Sequence, residues 1–168
     1  MTKRDATGPK LPFFVYGTLM PGQPNDYLWQ DSLIHAQPAI YEGRLLDCGY
    51  YPVLIAAKGE RVMGQLVSVA ATQYMKIVAE LDTLEGFDAR NPDASLFRRV
   101  RRVVQTKSGV WETAWLYMGQ GPRTEAFPVI PNGDWEAYSA ADRHIMRDWW
   151  QQGGGVPEAF RAPDDPAT

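Results

Sequence analysis

In the stretch TQYMKIVAELDTLE, a helix would place Tyr74, Val78, Leu81 and Glu85 on one face, at spacings i, i+4, i+7 and i+11. Three of these side chains are apolar and the fourth is a carboxylate. An ionised carboxylate on a core-facing stripe costs free energy unless it is paired or protonated. Burial raises its pKa because the charged form loses water. The negative end of the helix dipole pushes in the same direction, since Glu85 falls in the last turn. A glutamate placed in this way exchanges protons near neutral pH. Periodicity alone leaves a second reading open, in which Glu85 frays out or pairs with Arg98, Arg99 or Arg101. Asp82 and Glu80 lie off the stripe and are expected to face water, with Asp82 able to hold the following turn.

A second candidate is the stretch FFVYGTLMPGQPN, in which an apolar strand runs into Tyr16, Gly17, Thr18 and Leu19 and then into a loop rich in Pro and Gly. A strand that stops there leaves backbone N–H groups without a ladder partner. Gly17 permits tight or left-handed geometry. A row of such donors forms a nest for a carboxylate or phosphate, and the Thr18 hydroxyl can add one more bond. An ordinary turn with a satisfied Thr is the alternative. The stretch lacks the second Gly and the Lys-Ser/Thr pair of a phosphate-binding P-loop, and it is no dinucleotide fingerprint.

Other chemistries find little support. The single cysteine, Cys48, excludes an intrachain disulfide and a cysteine metal site, and is read as a packed thiol. His35 and His144 are far apart, so no metal site is expected. The formal net charge is −3 with no basic face, which argues against a nucleic-acid partner. No apolar run is long enough to span a membrane, and the start, MTKRDATGPK, lacks a signal-peptide core, so a cytoplasmic location is expected.

The elements that must position these residues are short. With 168 residues and 45% apolar content, the chain fits one folded domain, taken as 12–152, with flexible termini at 1–11 and 153–168. Strands are predicted at Phe13–Tyr16, Ile40–Leu46, Pro52–Ala56, Arg61–Val69, Leu96–Thr106 and Val110–Met118. In the last strand Trp111, Thr113, Trp115 and Tyr117 point one way, and Val110, Glu112, Ala114, Leu116 and Met118 the other. Large apolar groups on both faces suit a small barrel. Helices are predicted at Thr72–Glu85, capped by Thr72 and ended by Gly86, and at Trp135–Trp150, capped by Asp134. In the second helix the stripe Trp135, Tyr138, Ile145 and Trp149 reads as packing. Gly119–Pro131 reads as a loop. The class is α+β, a small mixed β-barrel with two main helices packed around it.

These pieces occur together in one family. The strand ending YGTL with its PG turn and PND, the GYYP loop, the VMGQLVSV strand, and LDTLEGFD before an aromatic-Arg pair follow in order. By these motifs the chain resembles the γ-glutamylcyclotransferase-like (AIG2-like) proteins over about Phe13 to Met118, and the GDWEAY segment resembles their bacterial C-terminal part. The resemblance implies a barrel whose cavity has the YGTL loop on one side and the LEG glutamate opposite. It assigns the general acid/base role to Glu85 and binding of the glutamyl carboxylate to Tyr16, Gly17, Thr18 and Leu19. Many members carry Tyr where this chain has Phe97. Tyr50 or Tyr51 can replace that hydroxyl, and Tyr51 is placed with the substrate-binding residues.

The implied reaction closes a five-membered ring. The α-amino group of a γ-glutamyl amine or peptide attacks its own γ-carbonyl, giving 5-oxoproline and a free amine. Holding the substrate folded supplies a large effective concentration. One glutamate of raised pKa can take and return the proton, so no metal, cofactor or protein nucleophile is required. The expected partner is a small-molecule γ-glutamyl substrate, its amine read by loops near Arg90–Ser95 and Gly119–Pro131. A non-catalytic binding module for a carboxylate-bearing metabolite is the alternative, and a structural protein docking a partner through Trp149 and Trp150 a third. The sequence identifies neither the leaving amine nor the oligomeric state.

Overall fold

In the computed structural model, residues 10–49, 51–95, 97–120, 124 and 126–140 are described. Five strands close a barrel in the order β1 (Phe13–Val15), β5 (Arg61–Val69), β2 (Leu33–Glu42), β6 (Phe97–Thr106) and β7 (Trp111–Gly119). All neighbours are antiparallel except β1 and β7, which meet in parallel at Phe13 and Trp115 and so close the ring. The predicted strand at 40–46 divides at Gly43. There the chain leaves the barrel for a hairpin of β3 (Arg44–Asp47) and β4 (Pro52–Ile55).

Alternation along the strands fills the barrel. Phe14, Val62, Leu66, Val104, Ala114 and Leu116 are all buried. The opposite side of β1 is also covered, because the Phe13 ring packs against Trp29 and Tyr74 with centroids 5.8 and 5.6 Å away. The expected two-sided character of β7 follows from the same arrangement. Ala114, Leu116 and Met118 are buried, whereas Trp115 and Tyr117 point outward under a helix and Trp111, beyond its reach, stays exposed.

That helix, α1 (Tyr74–Leu84), buries Tyr74, Ile77, Val78 and Leu81 against the barrel. It is pinned by the Trp115 indole donating to the Tyr74 hydroxyl at 3.0 Å, and by that hydroxyl donating to the Leu11 carbonyl at 2.7 Å. Thr72 does not cap it. The chain enters through a 3-10 turn at Ala71–Gln73, where Gln73 N–H donates to the Ala70 carbonyl, so the entering turn supplies its own acceptor. The C-terminus ends as predicted, at Gly86 with φ +65°. Gly86 N–H bonds the Thr83 carbonyl at 3.2 Å and Phe87 N–H bonds the Asp82 carbonyl at 2.8 Å. This is a Schellman closure, which requires left-handed backbone at the residue after the cap. The cap is Glu85 itself.

The second helix, α2 (Trp135–Ser139), starts as predicted, with Asp134 accepting from Ala137 N–H at 3.1 Å. Trp135 is buried, and the Tyr138 hydroxyl donates to Asp47. The rest of the predicted helix, with Ile145 and Trp149, lies outside the described residues, as do residues 1–9, Tyr50 and the tail from 141. Among the described residues no helix is long and apolar enough to cross a membrane.

Candidate active site

A cavity of ≈ 80 Å³ opens where β1 ends, beside the last turn of α1. At roughly 10–15 Å³ per water, it holds on the order of six waters, the scale of an amino-acid-sized group. Its wall includes Tyr16, Gly17, Thr18 and Leu19 from the loop after β1, Glu85 from α1, Tyr51 and Pro52 from the β3–β4 hairpin, Phe97 from β6 and Tyr117 from β7. Every predicted site residue therefore lines one pocket.

The loop is held open by its own turns. Met20 N–H donates to the Gly17 carbonyl at 3.0 Å, and Asn25 N–H donates to the Thr18 carbonyl at 2.8 Å. The Asn25 amide also donates to the Thr18 hydroxyl at 2.9 Å, and the Trp29 indole to the Leu19 carbonyl at 2.6 Å. The carbonyls are engaged. Among the described residues the N–H groups of Gly17, Thr18 and Leu19 donate to no acceptor. The Thr18 hydroxyl accepts from Asn25 and keeps its own proton free to donate. Such unpaired donors beside a cavity suit an anionic ligand group. Of the tight or left-handed geometry that Gly17 permits, the structure shows the tight one, since its φ is not positive. Glycine is needed there because a Cβ would stand 2.6 Å from Pro52 Cγ.

Glu85 carries the only ionisable carboxyl on the wall among the described residues. It pairs with none of Arg98, Arg99 or Arg101, and its carboxylate makes no hydrogen bond or ion pair among the described residues. Burial raises its pKa from 4.5 to about 7, because the charged form loses hydration that nothing replaces. The residue keeps some accessible surface, which is the face it shows to the cavity.

Asp82 does not face water. Its Oδ1 accepts from the Tyr117 hydroxyl at 2.5 Å and from Arg99 Nε at 2.9 Å. The Arg99 guanidinium in turn stacks over the Trp115 ring, 4.5 Å from its centroid. Burial, Asp82 and Glu85 hold the Tyr117 phenol far above its ordinary pKa, so it remains a donor. The Tyr16 hydroxyl is also committed, donating to the Tyr117 carbonyl. Tyr51 packs against Phe97 with ring centroids 6.1 Å apart, and its phenol interacts with the Cys48 thiol. Cys48 is buried, as a packed thiol should be, and its pKa is pushed up to about 12.

Sequence reasoning missed Asn25, Asp82 and Tyr117. Asn25 stood in the quoted PND segment, and Tyr117 shared the Trp115 side of its strand. Asp82 stood in the quoted LDTLEGFD motif, but its pairing carried no signal, for its partner Arg99 lies on a strand distant in sequence. The loops Arg90–Ser95 and Gly119–Pro131 contribute no described residue to the wall. They are tied to each other, since the Gln120 amide donates to the Pro92 and Ser95 carbonyls at 2.6 and 2.7 Å.

The protein is a closed five-strand barrel with a side cavity, a buried carboxyl on its wall and a facing donor loop. The chain belongs to the gamma-glutamyl cyclotransferase, AIG2-like family, whose pattern matches residues 13–137. Cyclotransferase-type chemistry is the function this family carries in general. The fold is shared with YkqA from Bacillus subtilis (TM-score 0.59, 20% identity), although the match covers 80% of this chain and only 42% of that one. It is also shared with the uncharacterized protein PH0828 from Pyrococcus horikoshii (TM-score 0.55, 22% identity), over 80% of this chain and 97% of that one. The protein loc79017 from Homo sapiens gives a TM-score of 0.51 at 13% identity, over 93% and 94%. At these identities the likeness shows the fold alone. No curated protein gives a significant match.

Proposed function

We propose that this chain is a γ-glutamylcyclotransferase-type enzyme that converts a γ-glutamyl amine or peptide to 5-oxoproline and the free amine. The observation that carries this reading is Glu85, which has no partner among the described residues and a pKa near 7, sharing a small cavity with the Gly17, Thr18 and Leu19 N–H groups that are likewise unpaired there. Those donors and the Thr18 hydroxyl bind the substrate α-carboxylate. The α-ammonium then faces Glu85, which takes its proton. The freed amine attacks the γ-carbonyl carbon, a C–N bond closes the ring, and the bond to the leaving nitrogen breaks. Glu85 returns the proton to the departing amine, the ring nitrogen sheds its second proton to water, and Glu85 is again a carboxylate. Because nucleophile and electrophile belong to one molecule, the protein's task is orientation and proton transfer, and orientation alone is worth effective molarities of about 10⁵–10⁸ M.

The Phe97 ring on the pocket wall favours a second reading, in which the same cavity binds a carboxylate-bearing metabolite without turning it over. One experiment separates them. A panel of γ-glutamyl amines and peptides is incubated with the protein, and 5-oxoproline and amine are quantified together. Equimolar release supports the enzyme. Binding of glutamyl ligands without release from any substrate supports the binding module.

A further inference from the structure

The two halves of the cavity come from elements far apart in sequence. Glu85 rides on the last turn of α1, and the donor loop hangs from the end of β1. One chain of hydrogen bonds joins them. Arg99 Nε donates to Asp82, and the Tyr117 hydroxyl donates to the same Asp82 oxygen. The Tyr117 carbonyl accepts from the Tyr16 hydroxyl, and Tyr16 opens the donor loop. Asp82 sits three residues before Glu85, and its backbone carbonyl closes the helix end by accepting from Phe87 N–H at 2.8 Å. Its side chain and that of Arg99 are only 20% and 17% exposed, so water competes weakly for the pair.

We propose that Asp82 and Tyr117 are positioning residues, which fix the distance and orientation between Glu85 and the Tyr16–Leu19 loop. The proposal rests on the cyclotransferase reading for its kinetic consequences, but its geometry stands without it. Tyr117 is not a proton donor to substrate here, because its one proton is given to Asp82. The groups facing Glu85 are Tyr16 from the loop after β1, Tyr51 from the hairpin and Tyr117 from β7, with Asp82 on its own helix and Arg99 behind it on β6. Among these, Asp82 and Arg99 are the charged ones, and each neutralises the other.

The test uses Asp82→Ala and Tyr117→Phe in the full chain, singly and together. Each single variant should lower kcat for 5-oxoproline release roughly tenfold to a hundredfold, the cost of a misplaced reacting group, with little change in KM. The double variant should be no slower than Asp82→Ala, since both remove the hydrogen bond between Tyr117 and Asp82. Additive losses, or kcat unchanged in both variants, overturn the proposal. A readout free of turnover is hydrogen exchange at the Met20 and Asn25 N–H groups of the donor loop and the Gly86 and Phe87 N–H groups of the helix end, measured with and without Tyr117→Phe. Faster exchange at both places in the variant supports the proposal even when no substrate is turned over, and that pairing of results sinks only the cyclotransferase reading. Unchanged exchange overturns the proposal. Should Asp82→Ala fail to fold, Tyr117→Phe decides through kcat.

Discussion

Replacing Glu85 by Gln should make the protein more stable at pH 8, and the gain should vanish at low pH. The rise of the Glu85 pKa from 4.5 to about 7 means the folded chain holds a proton that the unfolded chain has already released. Between those two values the native state binds more protons, so stability falls as pH rises. The contribution is fully present below pH 4.5 and lost once pH passes about 7. At about 1.4 kcal/mol per unit, and allowing for water that reaches the cavity, the loss is about 2–3 kcal/mol. Gln keeps the shape and does not ionise, so it escapes the loss. Urea unfolding followed by tryptophan fluorescence, repeated from pH 4.5 to 8.5, measures the difference between the two proteins. The account requires a difference that grows across this window and then levels off. A flat difference, or one that falls with pH, would refute the claim that the carboxylate is buried without a partner, because a paired glutamate shifts the other way.

Three further outcomes are expected. Gly17→Ala places a Cβ 2.6 Å from Pro52 Cγ, so the loop or the hairpin must shift, and kcat/KM should drop by about two orders of magnitude in a protein that still folds. Circular dichroism and turnover measured on the same sample check this. Trp29→Phe keeps an aromatic ring beside Phe13 but strips the donor from the buried Leu19 carbonyl, costing about 1–3 kcal/mol and raising KM more than it lowers kcat. Cys48, buried with its pKa near 12, should resist alkylation at pH 8 in the native protein and react at once in urea, as mass spectrometry of labelled samples would show.

Much of this was legible in local pattern. The stripe Tyr74, Val78, Leu81 and Glu85 identified α1 and its misplaced carboxylate, because helix periodicity is a local property. Gly86 as the stop and Asp134 as a cap followed from equally local rules, and the structure bears both out. Thr72 did not, since a 3-10 entry anchored by Ala70 N–H on the Ser32 carbonyl displaced it. The two faces of β7 signalled a closed barrel, but the parallel contact of Phe13 with Trp115 that closes it left no trace in either segment. Asp82 shows the limit most clearly. On the helix wheel it looked solvated, and only the fold brings Arg99 and Tyr117 to it from two other strands. Gly17 read locally as tight or left-handed, and only the tertiary approach of Pro52 decides for the tight geometry.

The central claim is that Glu85 carries the proton in ring closure. Its most direct test is the pH dependence of kcat/KM for 5-oxoproline release by the wild-type protein, beside Glu85→Gln on the same substrate. The account predicts an acidic limb near pH 7 in the wild type and loss of turnover in a folded Glu85→Gln protein that still binds glutamyl ligand. Undiminished release by Glu85→Gln, with the same pH profile, would contradict it.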